Sequence, residues 1–337
     1  MSQIALPTVP KFLVHRPARP MMARDADAMY WMSRYVERAE HTARLLLVNS
    51  SLLTDVGDLA PRQLQQQWQA ILTILHSNSI VRMSGADLGP RIAQHMTFNA
   101  DNPNSLLSGL SRARENARSI RENISAEMWE SLNTLYWSIR GEDAQTRFDE
   151  SPDDFYRMIM NGSMLFQGLT DQTMVHDQRW LFVQLAKYLE RIDVTCRVID
   201  TKFGLLQAER NQMETALQTI QWMAVLRSCC SIEAYRRHHA GEMEPLRVVS
   251  FLLLERNFPR SVRYAVEMAR EAISAIRAEV NSLAIDPAER ILGRLSAQLE
   301  YAEPSEIDAE GVSSYLQKII TQIGEAAFAV QKTYFLY

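Results

Sequence analysis

The sequence predicts an all-α protein, a multi-helix bundle of about a dozen helices built from two tandem, related helical units. Three observations carry this. Glycine and proline number only 12 each in 337 residues, about 7% together against roughly 12% in an average protein, and both punctuate strands and turns. Apolar residues recur three and four apart, without period-two alternation or an Asn-Gly hairpin turn. The decapeptide YVERAEHTAR at 35–44 recurs as YLERIDVTCR at 188–197, an offset of 153 (190 − 37).

Prolines mark where helices start. Ser151-Pro152-Asp153-Asp154 supplies a serine N-cap, proline at the first helical position and acids in the first turn. Asp286-Pro287-Ala288-Glu289 does the same, with Glu289 placed to complete a capping box. Pro61, Pro103, Pro245 and Pro304 each precede a helical run. Two helices are long, over about residues 24–54 and 176–209. Gly162 and Gly168 lie in a helical run and read as close-packing positions.

The repeat extends beyond the decapeptide. QWQAIL (67–72) aligns with QWMAVL (221–226) at 154, pairing two of six tryptophans. Pro103 with Pro245, and RSIR (118–121) with RSVR (260–263), align at 142. The matches keep their order, as a duplication with one shortened loop would leave them. The expected organisation is an amino-terminal extension over 1–21, a first unit over 22–175 and a second over 176–337, packed as one domain. The extension carries four prolines and lacks a signal-peptide pattern.

Composition narrows the function classes. Net charge is −4, with 36 basic and 40 acidic side chains intermixed, so no field draws in nucleic acid or an anionic membrane. No apolar run reaches the ~20 residues that span a bilayer. Three cysteines, Cys196, Cys229 and Cys230, are too few for a disulfide framework, which makes a reducing cytoplasm the expectation. No phosphate-cradling glycine loop, nucleophile elbow or HExxH stretch occurs, and no cofactor is expected. Cys229-Cys230 and His238-His239 do not have a zinc spacing, and adjacent helical residues point about 100° apart, so no metal site is expected.

What remains is a constellation of charge. Glu37, Glu40 and Arg44 occupy i, i+3, i+7, as do Glu190, Asp193 and Arg197, each set beside a Glu-Arg pair, Glu37-Arg38 and Glu190-Arg191. Their flanks are apolar on several sides, so these charges are expected to be buried and paired. At the offset of 142, Arg114, Arg118 and Arg121 map onto Arg256, Arg260 and Arg263. That spacing puts three guanidiniums on one helix face and calls for counter-charge, which the acids of the same unit are expected to supply. Pro259 threatens the second stripe by breaking its helix. Three uses are open: an internal salt-bridge network, arginines left over for a carboxylate or phosphate, and acid–base work by Glu37 or Glu190. His41 shares the Glu37 face and reads as a structural residue.

MARDADAMYWMSRYVERAEHTARLLLV (22–48), with YLERIDVTCRVID (188–200) and FLLLERNFPRSVRY (251–264), resembles the bacterial alpha-E family, named for an α-helical domain with a Glu-Arg motif. The resemblance runs from about residue 22 onward. It implies association with circularly permuted ATP-grasp proteins and transglutaminase-like proteins in a peptide-making or peptide-modifying system, and it implies no catalytic residue. The expected role is a non-catalytic partner or substrate-binding component. An amide- or phosphate-handling enzyme and an oligomerising scaffold are the alternatives.

Overall fold

A computed structural model describes residues 21–56, 61–77, 88–208, 215–239, 243–279 and 285–335. Of the expected extension over 1–21, only Met21 falls among them, partly buried against the core. The described residues form fifteen α-helices and no strand.

Two helices are central because they are apolar nearly all round. α1 (Ala23–Val56) buries Met29, Tyr30, Met32, Val36, Ala43, Leu45 and Leu46, and α8 (Gln178–Ala208) buries Leu181, Phe182, Leu185, Leu189, Ile192 and Ile199. A helix with so little polar surface must be surrounded. α1 packs on α8, and each gathers its own set of amphipathic helices.

Around α1 lie α4 (Leu106–Ser119), α5 (Ala126–Arg140) and α7 (Pro152–Thr173): α1 touches α4 and α7, α4 touches α5, and α5 touches α7. Around α8 the same circuit is made by α12 (Val262–Glu279), α13 (Pro287–Tyr301) and α15 (Val312–Tyr334). α12 shows the stripe that drives this packing, with Val262, Ala265, Val266, Ala269, Ala272, Ile273 and Ile276 buried three and four apart. Two helices cross over. α2 (Pro61–Ile74) packs chiefly on α8, and α9 (Thr215–Ser228) chiefly on α1. The remaining helices are short: α3 (Leu88–Phe98), α6 (Ala144–Glu150), α10 (Ile232–His238), α11 (Pro245–Leu254) and α14 (Pro304–Glu310).

Equivalent turns recur at equivalent places. After α2, His76 has φ 52° and Ser77 N donates to Leu72 O at 2.8 Å; after α9, Cys230 has φ 53° and Ser231 N donates to Leu226 O at 2.8 Å. Both are left-handed helix terminations in non-glycine residues, at an offset of 154 (230 − 76). Trp68 and Trp222, also 154 apart, are both buried.

The helix starts follow the prolines with one correction. Ser151 caps α7 and Asp286 caps α13, each before its proline. Glu289 does not close a capping box; its carboxylate accepts from Arg277 Nε at 2.5 Å and Ser274 Oγ at 2.6 Å instead. The box is at α14, where Glu303 N donates to Glu306 Oε2 at 3.2 Å. Gly162 is a close-packing position, since a Cβ there would meet Leu135 Cδ1 at 2.7 Å. Gly168 is not, because a Cβ there would meet nothing within 4 Å.

The alignment at 142 is overturned. α12, not α11, takes the place of α4, and their starts match at 156 (261 − 105). Ser105 Oγ accepts from Ser108 N, and Ser261 Oγ accepts from Tyr264 N, both at 3.1 Å. Pro103 then pairs with Pro259 and Arg114 with Arg270.

Candidate functional site

The charged constellation lies in the seam between α1 and α8. Ser33 Oγ donates to Val183 O at 2.7 Å, tying the two helices where it begins. From there the 3.6-residue period carries Arg34, Glu37, Arg38, His41 and Arg44 down α1, and Lys187, Glu190 and Arg191 down α8.

The two Glu-Arg motifs hold each other. Arg38 Nε donates to Glu190 Oε1 at 2.5 Å and its Nη2 to Oε2 at 2.9 Å. Reciprocally, Arg191 Nε donates to Glu37 Oε1 at 2.7 Å and its Nη2 to Oε2 at 3.1 Å. Each arginine grips the other motif's carboxylate with both prongs of its fork, the geometry that makes guanidinium–carboxylate pairs strong. Neither motif pairs internally, because consecutive helical side chains diverge.

Further donors complete each carboxylate. Glu190 also accepts from Arg34 Nε at 2.7 Å, and Arg34 Nη1 reaches Tyr30 Oη at 3.1 Å. Glu37 accepts from Gln167 Nε2 of α7 and lies 3.1 Å from His41 Nε2. Glu40 accepts from Arg44, one turn on, and from Arg260 Nη1 at 3.0 Å. Arg191 Nη1 donates to Pro259 O at 3.1 Å, so the turn before α12 closes over the seam.

All three glutamates are fully or almost fully buried. Burial alone would raise their pKa values, and the guanidiniums outweigh it. The Arg38 and Arg34 charges hold Glu190 at about 2. Arg260, with His41 and Arg44, holds Glu40 at about 2. Arg191, with His41 and Arg260, holds Glu37 well below the usual carboxylate range. These carboxylates are anions at neutral pH with their lone pairs engaged, which suits neither a general acid nor a general base.

One expectation about these charges fails. The arginine stripes do not pair with the Glu37/Glu40 and Glu190/Asp193 acids of their own unit. Arg114 stacks on Trp129, Tyr136 and Trp137 and donates to Asn133 Oδ1 at 2.8 Å; Arg118 pairs with Glu115 at the surface; Arg121 lies beyond α4, over the Trp129 ring. In the second set, Arg256 and Arg260 lie in the turn after α11, and only Arg263 is helical, beside Glu267 at 3.7 Å. Pro259 accounts for this break, since α12 begins only after it. Arg256 is exposed, and Arg260 alone reaches the seam, across to Glu40 on α1. Asp193 and Arg197 pair with each other at 2.9 Å.

Glu37, Glu40 and His41 bring ligand atoms within 4.8 Å of one another. Arg191, Arg44 and Arg260 already neutralise those two carboxylates and add a positive charge in excess, so the electrostatics oppose a divalent cation there. Cys229 is buried and Cys230 exposed; neither forms such a cluster with His238 or His239 among the described residues.

Residues missed by sequence reasoning are Arg34, Gln167 and Lys187. Arg34 was legible as the i−4 neighbour of Arg38, and Lys187 as its counterpart at the repeat offset of 153 (187 − 34). Gln167 arrives from a separate helix and left no local signal.

The Alpha-E family model, a predicted alpha-helical domain with a conserved ER motif, matches residues 21–335. The chain is 23% identical over 315 residues to uncharacterized proteins of Mycobacterium bovis and of two strains of Mycobacterium tuberculosis, a match covering 88% of this chain and 34% of each of theirs. It therefore spans about a third of the length of those relatives. No solved structure matches it.

Proposed function

The chain belongs to the Alpha-E family, and from that premise we propose that it is a non-catalytic helical partner or substrate-binding component. It works beside an ATP-grasp ligase-like protein and a transglutaminase-like protein in the synthesis or modification of peptides. The association with those two protein classes comes from the family resemblance. The non-catalytic part rests on one observation: each Glu-Arg motif is consumed by the other.

A catalytic carboxylate needs a pKa near its working pH and a lone pair facing substrate. Glu37 and Glu190 have neither, and their burial leaves no path for a substrate. The motif that names the family is on this reading a clasp between α1 and α8. Binding falls to surfaces outside it, such as the cavity of about 860 Å³ between α2, α3 and α6, walled by Trp68, Phe98 and Phe148 with Arg91 at its side. That volume is in the range of ligand sites. Among the described residues no helix is long and apolar enough to cross a membrane. A cytoplasmic setting is part of the proposal, in keeping with cysteines that form no disulfide.

The test mixes the purified chain with an ATP-grasp ligase-like protein from the same organism and follows association by calorimetry, with and without ATP and peptide. Micromolar binding is expected. Its absence at tens of micromolar under all conditions contradicts the proposal. Turnover that vanishes in Glu37→Gln while the melting temperature holds would favour the enzyme reading instead.

A further inference from the structure

The repeat places Lys187 of α8 where α1 has Arg34. Arg34 has its carboxylate, Glu190 at 2.7 Å. Lys187 has none. Its counterpart acid, Glu37, is filled by Arg191, Gln167 and His41, and the Lys187 ammonium makes neither a hydrogen bond nor an ion pair among the described residues. Its one close partner is the face of the Tyr188 ring, 4.8 Å away.

This unpaired cation is buried and lines a cavity of about 10 Å³ between α1, α7 and α8, with Ser33, Gln167, Thr170 and Gln184 around it. Such a space takes one small guest, a water molecule or a monatomic ion. The charge around it leaves the ammonium in excess, because Arg191 and Arg260 already balance Glu37 and Asp171. In the seam Arg34, Arg38, Arg44, Arg191 and Arg260 face Glu37, Glu40 and Glu190, five cations against three anions. Asp171 on α7 is the other acid near Lys187, and its Oδ1 is occupied by Trp180 Nε1 and Gln184 Nε2. A buried charge without a partner is costly, and a small anion beside Lys187 would remove that cost.

We propose that the cavity beside Lys187 is a binding site for a single halide ion, chloride in the cell, which supplies the counter-charge that Glu190 supplies to Arg34. The size excludes phosphate, sulfate and carboxylates. Gln167 and Gln184 each spend one amide hydrogen on a carboxylate and keep the other for the ion. Burial first and Arg191 second push the Lys187 amine down to about 8, so it stays largely protonated at pH 7. Chloride affinity therefore falls as pH rises through 8, and bound chloride raises the amine's pKa.

The experiment has two arms. Crystals of the wild-type chain grown in bromide are examined for anomalous scattering, and a peak in the cavity beside Lys187 Nζ is expected. Thermal unfolding is then followed at constant ionic strength as chloride replaces gluconate, which is too large to enter. The melting temperature climbs with chloride in the wild type. It stays flat in Lys187→Met, which keeps the length of the side chain without its charge. No anomalous peak, the cavity holding water alone, overturns the proposal. So does a chloride response that survives in Lys187→Met, since the effect then originates elsewhere.

Discussion

Glu190→Gln removes one charge from the seam and nothing else of consequence, because the side chain keeps its shape. The carboxylate it replaces is fully buried and accepts from Arg38 Nε at 2.5 Å, Arg38 Nη2 at 2.9 Å and Arg34 Nε at 2.7 Å. After the change two guanidiniums face a neutral amide that also turns an NH₂ toward one of them. Removing one partner of a buried ion pair costs about 3–5 kcal/mol. The upper part of that range is expected here, since two cations lose their counter-charge together. With an m-value of about 3 kcal/mol per molar urea, the unfolding midpoint falls by about 1.3–1.7 M. Equilibrium urea unfolding at pH 7, followed by circular dichroism, measures this. A loss below about 1 kcal/mol would refute the claim that the motif holds the fold, and the seam would then owe its stability to apolar packing alone.

Acid should attack the same seam. Glu190 and Glu40 sit at about 2 in the folded chain against an unfolded value near 4.5, so their contribution is complete above about pH 4.5 and is lost as pH falls toward 2. Stability measured from pH 7 to pH 2 is expected to drop steeply below 4.5, and Glu190→Gln should flatten part of that slope. The corrected assignment of the arginines has its own test. Arg260→Ala costs about 1.5–3 kcal/mol by leaving a buried charge-assisted bond unmade, whereas exposed Arg118→Ala stays within about 0.5 kcal/mol; equal effects would restore the equivalence of the stripes. Two glycines separate packing from propensity. Gly168→Ala meets open space and should gain about 0.5–1 kcal/mol, while Gly89→Ala drives a methyl to 2.5 Å from the buried Trp68 indole and should lose about 1–3 kcal/mol, both read by thermal melting.

The helical class, the two long helices and most helix starts were legible, because proline, caps and apolar period act locally. α6, α10 and α14 were harder to see: each has seven residues, two turns at most, too few to display a period. The acids and arginines of the seam were also legible as buried charge. Their partners were not. Arg38 and Glu190 are 152 positions apart, and only the packing of α1 on α8 brings them together. The arginine stripes misled for a specific reason. R-S-x-R matched in letters at 142, but the first copy ends a helix and the second begins one. The turn chemistry was the better guide, since Pro103-Asn104-Ser105 and Pro259-Arg260-Ser261 each carry a serine that accepts from the backbone N–H three residues on.

Each Glu-Arg motif is completed by the other across the seam. A double-mutant cycle tests it most directly, with Arg38→Ala combined with Glu190→Gln in one cycle and with Glu37→Gln in a second, all stabilities taken from urea unfolding. A coupling above about 1.5 kcal/mol is expected between Arg38 and Glu190, and one below about 0.5 kcal/mol between Arg38 and Glu37, its neighbour in sequence. Strong coupling within the Glu37-Arg38 pair, with little across the seam, would contradict it.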